Sequence, residues 1–276
     1  MIFQKLKKLT DPNSDMSFLG HLEALRWHLF RAVIAVVVAA VVMFFMKGFL
    51  FDDIILAPKR ADFLTYRFLC HLSHSLNFGD DLCIKVIPFE LINIDLTGQF
   101  TTHMWIAFVA GIIIVAPYIL WELWSFIKPA LHEKERKSAN GIIFYLSFLF
   151  TLGVLFGYYV ITPMSVNFLG AYQVSEEVKN AINLDSYIST VTTLTLISGI
   201  IFELPMVIFF LTKVGLITPT FMRNYRRHAV IIILILAAVL TPTSDILTLM
   251  LVAVPLYILY EISIFVSGNV LKNKKS

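Results

Sequence analysis

Six long apolar segments dominate this sequence and decide in which solvent the chain folds. A helix needs about 20 mainly apolar residues to cross a hydrocarbon core of about 30 Å. Since 58% of the 276 residues are hydrophobic and only 15% are charged, a soluble domain of this size cannot bury its apolar side chains. The sequence therefore predicts an all-α integral membrane protein, in which residues 1–276 form a single polytopic domain. Its six spans cover about 29–49, 103–127, 141–163, 187–212, 228–240 and 246–267.

The fifth of these segments is short. Ala229 to Leu240 provides 12 residues, or roughly 18 Å of helix, so either its flanks extend it or the bilayer thins around it. The link at 241–245 contains a proline, which predicts a tight turn and a helical hairpin of spans five and six.

Lysine and arginine are unevenly distributed over the connecting segments. Most of the 22 such residues fall on one side of the membrane when the N-terminus is placed in the cytoplasm. Because cytoplasmic segments carry the excess of positive charge, we expect a multi-pass protein of a bacterial cytoplasmic membrane, with both termini in the cytoplasm.

The first outer segment, residues 51–102, is too long for a simple connector. Pro58, Gly79 and Pro88 interrupt it, and we expect short interfacial helices that form a structured periplasmic cap. Cys70 and Cys83 lie in this segment, on the side that a bacterium keeps oxidising. They form either a disulfide or two unrelated buried thiols, and their spacing does not indicate a metal site.

Apolar residues recur at helical spacing before the first span, at Phe18, Leu22, Leu25 and Leu29. This pattern predicts an amphipathic helix at the inner membrane surface. Periodicity alone leaves open whether the helix only anchors the chain or also binds a partner.

Carboxylates inside the spans form a separate class, because a charge near the bilayer centre costs at least ~2.5 kcal/mol. Glu203 lies mid-span beside Pro205, with no lysine or arginine nearby in its span. It is either a neutral group bonded to a Ser or Thr of another span, or a group that faces a water-filled concavity. Glu122 and Glu261 lie nearer the ends of their spans, where an interfacial position is expected. Four prolines inside spans predict bent helices and a concave wall, at Pro117, Pro163, Pro205 and Pro255.

Several function classes receive little support from the residues. A proton-coupled secondary transporter of a small solute is the main alternative, but the two halves of the chain show no convincing repeat. The sequence has no His-Glu-x-x-His, Gly-x-Ser-x-Gly or P-loop motif, and its seven histidines are dispersed, so we expect no catalytic site, no metal and no cofactor. A basic cluster interleaved with aromatic residues is also absent, which argues against nucleic acid as a partner.

Several pieces of the sequence follow one known pattern. Residues 18–26 read FLGHLEALR, and residues 124–131 read WSFIKPAL, followed by Glu135 and Arg136. The third span carries Gly153, Phe156, Tyr158, Pro163 and Phe168, the fourth carries FELP at 202–205, and the last hairpin has LTP at 240–242 with Asp245, Pro255 and Glu261. In this order and spacing they resemble the TatC family, and the resemblance covers Ser17 to Val266.

The resemblance implies a non-enzymatic receptor and scaffold. Such a protein binds the twin-arginine signal peptides of folded precursors and recruits TatA- or TatB-type single-span membrane proteins, in a hetero-oligomer with multiple copies that uses the proton-motive force. Signal-peptide contacts are implied for Glu23, Arg26, Phe126, Glu135 and Arg136. Partner-docking or buried polar roles are implied for Glu203, Glu122 and Asp245, and structural roles for Pro58, Tyr158, Pro163 and Pro205.

One departure from the family pattern concerns the first motif. The family often has a second glutamate directly before the Leu-Arg pair, where this chain has Ala24. Either Glu23 substitutes from a helical position about 100° away, or Glu135 carries more of the contact. Arg26 either orients Glu23 or binds a lipid phosphate.

Overall fold

The computed structural model describes residues 18–75, 79, 83, 89–128, 141–175, 180–241 and 246–275. Its α-helices are α1 (Phe18–Phe45), α2 (Leu64–Ser75), α3 (Gly98–Ile127), α4 (Ile142–Phe156), α5 (Thr162–Ala171), α6 (Leu184–Phe202), α7 (Leu204–Val214), α8 (Pro219–Asn224), α9 (Arg226–Leu240) and α10 (Ile246–Lys275). Two π-helical segments, Phe49–Ile55 and Gly157–Ile161, a 3-10 turn, Ala57–Lys59, and two strands, β1 (Glu90–Ile92) and β2 (Ala181–Asn183), complete the described elements.

Five helical stretches in the described part of the chain are long and apolar enough to cross a membrane. They are Leu22–Phe45, Gly98–Ile127, Ile142–Ala171, Leu184–Val214 and Thr248–Leu271, and each overlaps a predicted span. The remaining predicted span corresponds to α9, whose 15 residues make roughly 22 Å of helix. The protein is therefore mostly helical with several membrane spans, and a sixth crossing through α9 stays a prediction.

The start of the chain differs from the expected arrangement. α1 runs without interruption from Phe18 to Phe45, so the predicted amphipathic stretch and the first span are one helix. Its sequence has no proline, and no glycine between Gly20 and Gly48, so nothing in it favours a break. Leu22 and Leu25 are exposed, and a position of this stretch at the membrane surface stays a prediction.

Two of the predicted proline bends coincide with interruptions in the helices. Pro163 lies in the first turn of α5, directly after the π-helical segment Gly157–Ile161. Pro205 lies in the first turn of α7, after a break at Glu203. By contrast, α3 and α10 continue through Pro117 and Pro255. The interruptions therefore fall in the third and fourth long stretches, where each proline lies in the first turn of a new helix.

Glycines allow the spans to pack closely. α1 lies along α3, and a Cβ at Gly111 would be 2.9 Å from the backbone nitrogen of Ala40. α4 lies on α6, and a Cβ at Gly153 would be 2.6 Å from the carbonyl oxygen of Ser198. Small residues at such contacts let helix backbones approach, which replaces the hydrophobic driving force that lipid removes.

The outer segment contains the short helical elements Ala57–Lys59 and α2 and also a sheet that was not predicted, while a cap formed by interfacial helices stays a prediction. β1 pairs in parallel with β2, with Leu91 opposite Ile182, and so joins the segment before α3 to the segment before α6. Residues 76–78, 80–82 and 84–88, including Pro88, lie outside the described residues.

Tyrosine hydroxyls fasten this outer segment to the helices. Tyr66, which is 1% exposed, donates toward the carbonyl oxygens of Pro58 and Pro163, at 3.0 and 2.9 Å. Tyr158 donates to Ile54 O at 2.7 Å and Tyr187 to Ile55 O at 2.8 Å. Burial raises the pKa of Tyr66, so its hydroxyl remains a donor at physiological pH. Three of the predicted structural residues, Pro58, Tyr158 and Pro163, thus each take part in one of these hydrogen bonds.

Candidate functional site

The first group of candidate residues lies near the start of α1. Glu23 and Arg26 are both exposed, whereas Ala24 between them is half-buried. Residues three apart share a helix face, so the two charges point to the same side of α1. Among the described residues, neither side chain forms an ion pair, which leaves both charges available to a ligand.

A buried carboxylate near the C-terminal end of α3 contacts α1. Glu122 is 2% exposed, and its Oε2 contacts Nδ1 of His28 on α1. Its other oxygen accepts a hydrogen bond of 2.6 Å from the hydroxyl of Tyr118. Burying a carboxylate is unfavourable unless it is paired and hydrogen-bonded, and here both oxygens have partners.

The interfacial position expected for Glu122 stays a prediction. The carboxylate lies between two helices, where its evident effect is to hold α1 against α3, and a docking role for it stays a prediction. His28 was not singled out from the sequence, because a histidine in the first turns of an apolar helix is commonly a surface residue. The signal that points to it is Glu122 itself, since a carboxylate inside a span requires a partner.

Phe126 lies one turn beyond Glu122 and completes the contact between the two helices. Its ring is 6.3 Å from the ring of His28, at an interplanar angle of 64°. His28 follows Glu23 by five residues, or roughly 7.5 Å of helix. The structure therefore brings Glu23, Arg26 and Phe126 to the same end of the α1–α3 pair. Glu135 and Arg136, the other predicted signal-peptide contacts, lie outside the described residues, in the segment that follows α3.

Glu203 occupies the break between α6 and α7, in the middle of the fourth long stretch. Its side chain is 9% exposed, and in the described part of the molecule neither carboxylate oxygen has a hydrogen-bond partner. The bond to a Ser or Thr of another span, one of the two alternatives left open by the sequence, is thus not seen among these residues. A buried carboxyl group with both oxygens unpaired is costly, so this position favours a partner group brought by water or by another molecule.

An exposed ion pair links α9 and α10. Arg226 at the start of α9 donates to Glu261 of α10 at 2.7 Å, and both side chains are at least one-third exposed. Such a pair contributes little to stability. Asp245, the predicted polar residue of this hairpin, lies outside the described residues.

The two cysteines lie together in the outer segment. In the structure Cys70 and Cys83 form a disulfide, with their Cα atoms 4.4 Å apart. The ring of His74 is close, because one ligand atom from each of these three residues falls within 4.8 Å of the others. A disulfide occupies both sulfurs, so this trio offers a metal three ligands only after reduction.

Comparison with known proteins gives a consistent result across the whole chain. Residues 20–255 match the family model of the Sec-independent protein translocase protein, TatC. The relative from Blattabacterium sp. subsp. Periplaneta americana, a Sec-independent protein translocase protein TatC, is 39% identical over 96% of this chain and 100% of its own length. TatCy from Bacillus subtilis is 34% identical over 92% of this chain and 89% of its own length.

Solved structures agree with these sequence matches. A crystal structure of the twin-arginine translocase receptor TatC superposes with a TM-score of 0.66 and 29% identity, covering 91% of this chain and 99% of the other. A second structure of that receptor, in the detergent DDM, gives the same TM-score with 31% identity. Both the fold and the length of the chain therefore match this kind of protein.

Proposed function

From the premise that this chain belongs to the TatC family of Sec-independent protein translocase proteins, we propose that it is the receptor for twin-arginine signal peptides and the scaffold on which the translocase assembles. The observation that carries the proposal is the set of residues found together at one end of the α1–α3 pair. There the exposed Glu23 and Arg26 lie at the same end of the pair as Phe126, and the segment that contains Glu135 and Arg136 follows α3 in the sequence. The relatives do not favour the alternative of a proton-coupled solute transporter.

The chemistry of the ligand suits this surface. A twin-arginine signal presents two planar guanidinium groups, each a fixed fork of five donors that pairs with a carboxylate through two hydrogen bonds. Glu23 and Glu135 are the carboxylates that would accept them, and Phe126 would add an apolar surface for the peptide. An arginine pair should bind better than a lysine pair, because an ammonium group lacks the planar fork.

Glu203 is the proposed docking position for a single-span partner of the TatA or TatB type. Neither oxygen of its carboxylate has a hydrogen-bond partner among the described residues. This lack of partners and the place of Glu203 at a helix break both support a polar group that a partner helix brings to this position. A partner helix that supplies one donor would satisfy a carboxyl group that is otherwise costly to bury. The complex would then contain several copies and use the proton-motive force, in a bacterial inner membrane, with both termini of this chain in the cytoplasm.

The decisive experiment is photo-crosslinking of the purified protein to a signal peptide with Arg-Arg, with an otherwise identical Lys-Lys peptide as the control. Preferential crosslinking of the Arg-Arg peptide near Glu23 and Phe126 is expected. Glu135→Gln should abolish the preference, while Glu90→Gln, an exposed glutamate in β1 before the opposite end of α3, should leave it unchanged. Equal crosslinking of the two peptides would contradict the proposal.

Partner docking is tested separately from peptide binding. Glu203→Ala should leave Arg-Arg crosslinking intact and impair transport of a folded precursor into membrane vesicles. If Glu203→Ala removes peptide binding and Glu135→Gln removes only transport, the two roles have been assigned to the wrong residues.

A further inference from the structure

A cavity of about 580 Å³ opens where the outer segment meets the spans. It lies between the residues that follow α1, the first turns of α3 and the start of α6. Its polar lining consists of Lys47, Asp52, Gln99 and His103, and its apolar lining includes Phe51 and Phe100. None of these residues belongs to the end of the α1–α3 pair described above, so the cavity requires a separate explanation.

His103 is the most constrained of these residues. It is 9% exposed, and its ring stacks on Phe44 with centroids 4.2 Å apart and planes 13° apart. Phe51 packs edge-on against the same ring at 5.6 Å. The two aromatic contacts hold the imidazole in place, yet its Nε2 has no hydrogen-bond partner among the described residues. Such a buried polar atom is costly unless something outside the protein satisfies it.

The cavity carries one charge of each sign. Lys47 and Asp52 both line it and are both exposed. Within the part of the chain that the structure describes, neither side chain forms an ion pair with another residue. Asp52 does accept a bond from Arg60, but through its backbone oxygen. A ligand that fits this lining therefore has both an anionic and a cationic group.

The position of the cavity relative to the membrane limits which kind of ligand it can bind. Lys47 follows the apolar stretch Leu22–Phe45 by two residues, and Gln99 is the second residue of the stretch Gly98–Ile127. The cavity thus lies where two spans leave the hydrocarbon core, at the level of lipid headgroups. Beside it Phe45 is 82% exposed and Phe100 is 60% exposed, so apolar surface suited to acyl chains adjoins the polar lining.

We propose that this cavity binds the headgroup of a membrane phospholipid that carries both a phosphate and an ammonium group. Lys47 and the Nε2–H of His103 donate to the phosphate, which is the chemistry expected of a cation and a buried imidazole donor. The carboxylate of Asp52 pairs with the ammonium group. The bound lipid fills the space between the outer segment and the first two spans and satisfies the nitrogen that the protein leaves unpaired.

The experiment uses the full-length protein, purified and stripped of lipid, and measures retained lipid by native mass spectrometry. Phosphatidylethanolamine has both charged groups, whereas phosphatidylglycerol has the phosphate alone. The wild-type protein should retain more phosphatidylethanolamine from an equimolar mixture. Lys47→Gln should weaken retention of both lipids about tenfold, and Asp52→Asn should remove the preference between them.

Matched controls lie in the same outer segment and outside the cavity. Arg67→Gln and Asp62→Asn each remove one exposed charge of the same sign and should leave retention at the wild-type level. His103→Phe keeps an aromatic ring between Phe44 and Phe51 while removing the donor, and should weaken retention as Lys47→Gln does. Equal retention of the two lipids by the wild type would overturn the proposal, as would no retained lipid or equal losses in Lys47→Gln and Arg67→Gln.

Discussion

Replacing Glu122 tests whether its buried pair with His28 holds α1 against α3. Glu122→Ala removes a carboxylate that is 2% exposed and leaves His28 and Tyr118 without their shared acceptor. Breaking a fully buried pair in this way costs about 3–5 kcal/mol. Because the His28 side chain is 24% exposed, water solvates it in part, and we expect about 2–3 kcal/mol in the free energy of unfolding.

A double-mutant cycle separates the pair from the packing around it. His28→Ala, Glu122→Gln and the double variant should show a coupling energy of about 1–2 kcal/mol, measured by reversible denaturant unfolding in detergent micelles. The same variants should bind the Arg-Arg peptide more weakly, because the start of α1 is no longer held beside Phe126.

The exposed pair of Arg226 and Glu261 provides the matched control. Its two side chains are 46% and 33% exposed, so the corresponding cycle should give a coupling of at most about 1 kcal/mol. A coupling between His28 and Glu122 no larger than that of the control would refute the reasoning, since burial would then add nothing to the pair.

Three further predictions concern packing and the outer segment. Gly153→Ala forces a Cβ to within 2.6 Å of Ser198 O and should cost about 1–3 kcal/mol in unfolding free energy, whereas Gly268→Ala, with no atom within 4 Å of its Cβ, should cost little. Tyr66→Phe removes the donor to Pro58 and Pro163 and should cost about 1–2 kcal/mol at neutral pH. Since the folded state raises the pKa of Tyr66 above its usual 10.0, wild-type stability should fall as pH rises above that value, and Tyr66→Phe should show a smaller fall. Cys70→Ser opens a loop with a sequence separation of 13 and should destabilise the outer segment by about 2–3 kcal/mol, seen as faster hydrogen exchange in α2, while maleimide should label neither cysteine of the unreduced wild type.

Hydrophobic length and the motifs carried most of what could be predicted. Each long stretch overlaps a predicted span, because an apolar run of that length has few ways to fold other than as a membrane helix. The resemblance drawn from several separate pieces of sequence is confirmed by the family match over residues 20–255. The continuity of α1 was missed because amphipathic spacing before a span does not reveal whether a break separates the two.

Sequence patterns could not predict the contacts between segments that lie far apart in the sequence. β1 and β2 have three residues each, too few for strand periodicity to register, and their pairing depends on two intervening stretches of helix. The partner of Glu122 was likewise hidden, because His28 lies at a sequence separation of 94 and the intervening sequence does not indicate which helices become neighbours. Charge inside an apolar segment indicated that a partner exists, and only the packing of α1 on α3 identifies it.

The substitution of Ala24 for the second glutamate of the first motif now has a physical consequence. Ala24 is half-buried and Glu23 is exposed, and neighbouring positions on a helix differ in direction by about 100°. In this chain the carboxylate of the motif therefore points into the surroundings, where a guanidinium group reaches it without displacing a packed side chain. Ala24→Glu would add a second carboxylate on a more crowded side of α1. The two neighbouring negative charges would repel each other, and a cation bound nearby would relieve that repulsion. If Glu23 is the only carboxylate of this motif that binds the peptide, the Ala24→Glu variant should still need Glu23 for Arg-Arg crosslinking. In the same case, Glu23→Gln in the otherwise wild-type protein should remove the carboxylate contribution of α1 to crosslinking completely. Restoration of full crosslinking by Ala24→Glu in a Glu23→Gln protein would show instead that the motif tolerates its carboxylate on either side of the helix.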